Sequence, residues 1–314
     1  MTQNIATGRG VPVQNETVKR QLVFVQAQLS TAPLADPRLS ERLKAVVLKF
    51  HAATISESLE DRRGARQCRP AAEGSGMLNS FSWPRLAVSD GSLEALKWLA
   101  LVLMTVDHVS KFLFNGTDDA AFAAGRVAMP LFVFALAYNM ARPGVLECGA
   151  YLRTMKRLAL FGALAIPAFV ILGGIHAALR PLNIMFALLA LAATLNLLDR
   201  RTAGSYAAAA AVFLVGGANV EYSWPALAFG LAVWWYCKQP GAMPLALALT
   251  ALAALWFINS NLWAFLALLV VLIASLVDLR MPRVRWVFYA YYPVHLFALC
   301  LIRIPMSKAG YLFF

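Results

Sequence analysis

Charge is what this chain has least of. Charged side chains make up 14% of its 314 residues, against about a quarter in a soluble globular protein. With 60% hydrophobic residues, that scarcity excludes a water-soluble enzyme as the main body of the protein. Cysteine is nearly absent: Cys68, Cys148, Cys237 and Cys300 lie far apart and form no CxxC, so they read as unpaired thiols with no metal or disulfide signal. There is no GxxxxGK[ST], no Rossmann glycine fingerprint, no HExxH and no GxSxG, which disfavours an ATP-driven pump or a soluble-type hydrolase. The first twenty residues are polar and lead into no apolar run of signal-peptide length.

What the chain does have is long apolar runs. From residue 90 onward nine hydrophobic segments follow one another, at roughly 94–114, 120–141, 153–175, 182–198, 205–218, 222–237, 242–258, 261–279 and 285–304. Those at 205–218 and 222–237 are short for a full span and could merge or tilt. The basic residues between segments alternate in the manner of the positive-inside rule. With the N-terminus inside, 12 Lys/Arg beyond residue 80 fall in inner positions and 3 (Arg180, Arg303, Lys308) in outer ones, leaving Lys111 and Arg126 within the membrane. The expected fold is therefore an all-α polytopic membrane bundle of about nine transmembrane helices, N-terminus in and C-terminus out. The net charge of +12 could suggest nucleic acid, but basic residues at helix ends are better explained by topology, with the bilayer as partner.

Residues 1–80 do not resemble the rest. Residues 39–51 (LSERLKAVVLKFH) hold one amphipathic repeat, and residues 56–76 are charged and contain glycine. The expectation is a cytoplasmic extension that is disordered, or a mis-assigned start with Met77 just ahead of the membrane part. Residues 81–314 form the integral membrane domain.

The first segment carries an anomaly. Its 21 residues at ~1.5 Å rise give roughly 31 Å of helix, yet its second half holds Asp107, His108 and Lys111. Ionisable groups at such depth cost a few kcal/mol and usually face protein or a water-filled cavity. Asp107 and Lys111 are four apart and share a face. The short turn at Asn115 and Gly116 leads into the second segment, so His108, six residues before the end of one helix, and Arg126, six after the start of the next, both lie roughly 9 Å below one surface. The plain reading is that Asp107 neutralises Lys111 or Arg126 and His108 packs between helices. The chemical reading makes His108 a general base, oriented by Asp107, with Arg126 or Lys111 stabilising oxyanion charge.

Two further groups stand out. Residues 289–295 (YAYYPVH) put Tyr292 and His295 on adjacent faces near mid-membrane, where Pro293 removes a backbone donor. Arg153, Lys156 and Arg157 fit topology, and their i, i+3, i+4 spacing also predicts one cationic face suited to nucleotide phosphates. His51 and His176 fall in the extension and in a loop, and neither merits a role.

Three stretches together, SLEALKWLALVLMTVDHVSKF, GRVAMPLFVFALAYNM and YLRTMKRLALFGALAIP, resemble the TraX/TrbP family of conjugative-transfer membrane proteins. The matching motifs are MxxDH at 104–108, GRxxxPLF at 125–132 and YLxRxxRL at 151–158, with the YxYYPxH element at 289–295 fitting as well. The resemblance covers about residues 90–305. It implies a bacterial plasma-membrane protein of a conjugation system that N-acetylates a pilin subunit, taking acetyl from cytoplasmic acetyl-CoA and delivering it on the periplasmic side. In that reading His108, Asp107, Arg126 and Lys111 are catalytic, Arg153, Lys156 and Arg157 attract the CoA phosphates, and Tyr292 and His295 contact substrate. The rivals are a non-enzymatic membrane factor for pilus assembly and a proton-coupled transporter. A transporter would string its ionisable groups from face to face, whereas here they concentrate at one depth.

Overall fold

The computed structural model describes residues 83–173 and 181–313. The expected extension over 1–80, with His51, lies outside the described residues, as do His176 and Arg180.

The described residues are helical. Ser89 caps α1 (Asp90–Leu113), its side chain accepting from the Ser92 amide. The turn expected after it forms at Asn115 and Gly116, both with positive φ, and the Asp118 carboxylate then accepts from the Ala120 and Ala121 amides to start α2 (Asp119–Met140). Such a side-chain oxygen satisfies amides that have no partner within the helix. α3 (Ala150–Ile171) follows, then α4 (Ile184–Asp199), capped by Asn183, and α5 (Ala203–Asn219), opened by a Thr202–Ser205 capping box. α6 (Ser223–Lys238) begins after Tyr222. α7 (Ala242–Ala254) continues through a slight break at Leu255 into α8 (Trp256–Asn259). A 3₁₀ turn (Trp263–Phe265) opens α9 (Leu266–Leu276), and α10 (Arg285–Lys308) closes the order with Pro293 and Pro305 inside it.

Among the described residues, four helical stretches are long and apolar enough to cross a bilayer: Asp119–Met140, Ala150–Ile171, Ala242–Asn259 and Trp286–Lys308. Three apolar helices are shorter, Ile184–Asp199, Ala203–Asn219 and Trp263–Leu276. α1 has the length, at 24 residues, but its charges lower its hydropathy. The two short segments at 205–218 and 222–237 do not merge; residues 220–222 turn the chain between α5 and α6. Leu182 pairs with Val220 there in a single parallel bridge.

α2 is the axis of the bundle. Its apolar window is 61% buried, against 28% for that of α10, and it packs against α1, α4, α6 and α9. Large apolar side chains elsewhere point outward, among them Leu152, Leu160, Leu164 and Ile171 on α3 and Leu269, Leu272 and Ile273 on α9. Apolar surface on this scale belongs against lipid, while Asp107, Asn183, Asn196, Asn259 and His295 are buried inside.

Successive helices reverse direction, so their ends collect in two groups. One contains the C-terminal end of α1, the starts of α2, α4 and α6 and the ends of α5 and α8, whose side chains line one cavity. The other contains the N-terminal end of α1. There Arg142 donates to Asp90 at 2.5 Å, the Tyr151 hydroxyl lies 3.0 Å from the Met140 carbonyl and 3.2 Å from Asp199, and Lys238 pairs with Asp199. α10 runs parallel to α1: Phe288 packs on Trp98, Tyr291 on Thr105, His295 on His108, and the Leu312 carbonyl accepts from Asn115. Cys237 and Cys300 are free thiols. Cys148 is disulfide-bonded, which corrects the expectation of an unpaired thiol for that residue.

Candidate functional site

At the C-terminal end of α1 lies a cavity of about 320 Å³, lined by Asp107, His108 and Lys111 of α1, Arg126 of α2 and Glu221 of the α5–α6 connection. Four of these five were expected to share a neighbourhood from their helical levels, and they do. Asp107 takes Arg126, one of its two expected partners, while the contacts of His108 and Lys111 differ from those expected.

Asp107 does not orient His108. Its carboxylate accepts from Arg126 Nη2 at 2.9 and 3.0 Å, and both side chains are largely buried. Arg126 Nη1 also donates to Asn259 Oδ1 at 3.3 Å, and the guanidinium carbon sits 4.3 Å from the Phe122 ring centroid. A buried pair of this kind leaves an uncompensated charge if one partner is removed, at a cost of about 3–5 kcal/mol. Gly125 makes the pairing sterically possible. A Cβ at that position would stand 2.4 Å from Asp107 Cβ and Cγ, so only glycine lets α2 approach α1 here. The Gly-Arg of the second motif is thus one device: the glycine admits the carboxylate and the arginine neutralises it.

His108 takes its orientation from α10. Its Nδ1 lies 2.8 Å from Nε2 of His295, and His295 Nδ1 lies 3.0 Å from the Tyr291 carbonyl oxygen. A carbonyl oxygen only accepts, so His295 carries its proton on Nδ1, and in the neutral ring Nε2 is a lone pair. That lone pair accepts the Nδ1 proton of His108, which leaves His108 Nε2 unprotonated. Tyr292 is buried and stands edge-on to both imidazoles, with ring centroids 6.4 Å from His108 and 5.5 Å from His295. His295 and Tyr292, expected as substrate contacts, therefore hold and wall the His108 ring. The Tyr291 hydroxyl, 2.8 Å from Thr105 Oγ1, adds a second tie between the same helices.

Lys111, the other expected partner of Asp107, makes no ion pair among the described residues. Its ammonium lies 5.3 Å from the Phe112 ring centroid, and its side chain is exposed at the rim of the cavity. Glu221 was not singled out by the sequence, and its one signal was being the sole ionisable residue in a connection between two apolar segments. Its amide donates to the Leu182 carbonyl at 2.9 Å. Tyr222 and Ser223 both follow in the left-handed region, with φ of 60° and 47°, conformations that cost non-glycine residues energy and cluster at functional sites. Burial pushes the Glu221 carboxyl up to about 7, against the pull of Lys111, the Ile184 amide and Arg126.

The three basic residues of α3 do not form one cationic face. Lys156 is exposed, whereas Arg157 is buried with its guanidinium carbon 4.8 Å from the Trp286 ring centroid, and Arg153 donates to the Cys148 carbonyl at 2.7 Å. Helical spacing put them on adjacent positions, but α10 covers the arc that Arg157 occupies. Among the described residues no group of three or more His, Cys, Asp or Glu could hold a metal ion.

A helical membrane protein whose buried charges and paired histidines surround one cavity is the class that this geometry defines. The chain belongs to the TraX family: the family model described as TraX protein matches residues 92–303. It is thereby a conjugation-related membrane protein. Comparison with curated proteins and with solved structures gave no match. The matched region contains Asp107, His108, Arg126, Glu221 and His295.

Proposed function

We propose that this protein is an acetyltransferase of the bacterial plasma membrane, moving acetyl from cytoplasmic acetyl-CoA to the N-terminal amine of a pilin subunit on the periplasmic side. The observation that carries the reading is the His108–His295 pair, which presents an unprotonated imidazole nitrogen in a partly water-excluded cavity. A neutral histidine with its other nitrogen fixed is the arrangement general-base catalysis requires. As the acceptor nitrogen attacks the thioester carbon, His108 Nε2 takes the N–H proton. Lys111 bears the oxyanion, since Arg126 is committed to Asp107 and Asn259. The C–S bond then breaks and the CoA thiolate takes the proton from His108.

The topology belongs to the same proposal: nine crossings, N-terminus in, C-terminus out. The parallel course of α1 and α10 supports an odd total of crossings, in keeping with nine alternating segments. The cavity then faces the periplasm, while Lys156 and Arg153, at the start of α3, lie on the cytoplasmic side where CoA phosphates would dock. The pantetheine arm would span on the order of half of the ~30 Å hydrocarbon core.

Mass spectrometry of the cognate pilin tests the reading. Cells with the intact protein should yield pilin heavier by one acetyl group, and cells lacking it, or carrying His108→Ala, should not. Pilin of identical mass in all strains, with fewer pili in the deletion, would leave a non-enzymatic assembly factor.

A further inference from the structure

The cavity carries two ionisable side chains that form no ion pair among the described residues. Asp107 and Arg126 neutralise one another, and His108 is held by His295. Lys111 and Glu221 line the same cavity, yet neither makes an ion pair with the other or with any described residue. A carboxylate and an ammonium bordering one space, neither in an ion pair, suit a ligand that bears positive charge at one atom and negative charge at a near neighbour. The intermediate of aminolysis is such a species: as an amine adds to a thioester, nitrogen becomes cationic while the carbonyl oxygen becomes anionic. Glu221 is also built in rather than loosely presented. Its amide is bonded to the Leu182 carbonyl, the connection is bridged to Leu182 through Val220, and the two left-handed residues after it turn the chain back into α6.

We propose that Glu221 is the acceptor-recognition residue: its carboxylate seats the acceptor's ammonium group and takes the first of the two protons that the nitrogen loses. This deepens the acetyltransferase reading and rests on it. The proton balance gives such a group a task. An N-terminal amine arrives largely as R–NH₃⁺, since its ordinary pKa is about 8, and His108 carries only one of the two protons that leave it, the one it hands to the thiolate. Glu221 takes one, giving R–NH₂ and a neutral carboxylic acid. The amine nitrogen then bonds to the acetyl carbon as the C–S bond breaks, His108 relays the second proton to the thiolate, and the products are R–NH–acetyl and CoA–SH. The first proton leaves Glu221 for the water at the cavity mouth. The carboxyl's position near 7 suits alternate loading and release at neutral pH. The groups that face it are Lys111 and Asp107 of α1, Arg126 of α2, its neighbour Tyr222 and Tyr292 of α10.

The test uses the full chain in nanodiscs, with acetyl-CoA and a short peptide bearing a free N-terminal amine. Glu221→Gln should raise the acceptor KM about 10- to 100-fold, as loss of a charge-assisted hydrogen bond does, with the KM for acetyl-CoA unmoved. Its acceptor use should track the free amine in solution, shifting the pH profile alkaline, and Glu221→Asp should restore part of both. An unchanged acceptor KM and pH profile in Glu221→Gln, alongside a working wild type, overturns this inference and leaves the acetyltransferase reading intact. Binding of the amine peptide and of its N-acetylated form decides the matter even if no transfer occurs. Preference for the amine in wild type, lost in Glu221→Gln and partly kept in Glu221→Asp, supports the ammonium seat. Equal binding of the two peptides by wild type overturns it.

Discussion

His108 donates its Nδ1 proton to Nε2 of His295 across 2.8 Å, joining the first and last described helices 187 residues apart in sequence. His295 in turn is anchored to the Tyr291 carbonyl. The relation assigns the two imidazoles different tasks, one to act and one to orient.

That division predicts unequal mutants. His108→Ala should abolish acetyl transfer, whereas His295→Gln, whose side-chain oxygen still accepts a hydrogen bond, should retain a few per cent or more; a positioned base is worth about 10²–10⁴-fold. Transfer rates at matched membrane abundance check this. Equal loss in both, or near-normal activity in His108→Ala, would return the pair to a packing role.

Asp107 and Arg126 should behave as a structural unit. Asp107→Ala strands a buried guanidinium and should cost about 3–5 kcal/mol, seen as reduced protein in the membrane. The double variant Asp107→Leu with Arg126→Met should recover much of that abundance. Should Asp107→Ala accumulate normally and be inactive, the carboxylate has a chemical task that the geometry does not assign to it.

Gly125→Ala should mimic Asp107→Ala, because the added methyl would occupy the position of the carboxylate. Thermal unfolding of the solubilised protein measures it. A melting temperature equal to wild type would mean that α1 and α2 separate without cost, contrary to their close packing.

Stability should also fall with rising pH through the Glu221 titration. A carboxyl raised from 4.5 to about 7 on folding binds more protons in the native state between those values. The stabilisation is complete below about 4.5 and is lost as pH rises to about 7, by at most about 1.4 kcal/mol for each pH step of one crossed in that window. Melting curves from pH 5 to 8 should show the decline in wild type and a flatter profile in Glu221→Gln. The same slope in both would assign the titration to another group.

The proposed topology makes a separate prediction. A reporter fused after Asp118 should read periplasm and one after Arg201 cytoplasm. The reverse at either site would break the alternation of nine segments.

The helical membrane character, the segment boundaries and the common level of Asp107, His108, Lys111 and Arg126 were legible from the sequence alone. Each depends on local quantities: apolar run length, the ~1.5 Å rise of a helix, and a five-residue connection (114–118) too short to shift the register of α1 against α2. The choice among partners was not legible. Spacing suggested that Asp107 orients His108 and left Lys111 and Arg126 both open as its charge partner; the carboxylate turns to Arg126 because Gly125 opens the α1–α2 contact at that point. Arg153, Lys156 and Arg157 share a spacing but not an environment, since α10 covers only part of their arc. His295 reaches His108 because α10 returns parallel to α1 in matching register, and Glu221 reaches the cavity because the α5–α6 turn bridges to the start of α4. Periodicity places a residue on a helix face. Which neighbour that face meets is set by packing between distant segments, and that only the tertiary structure decided.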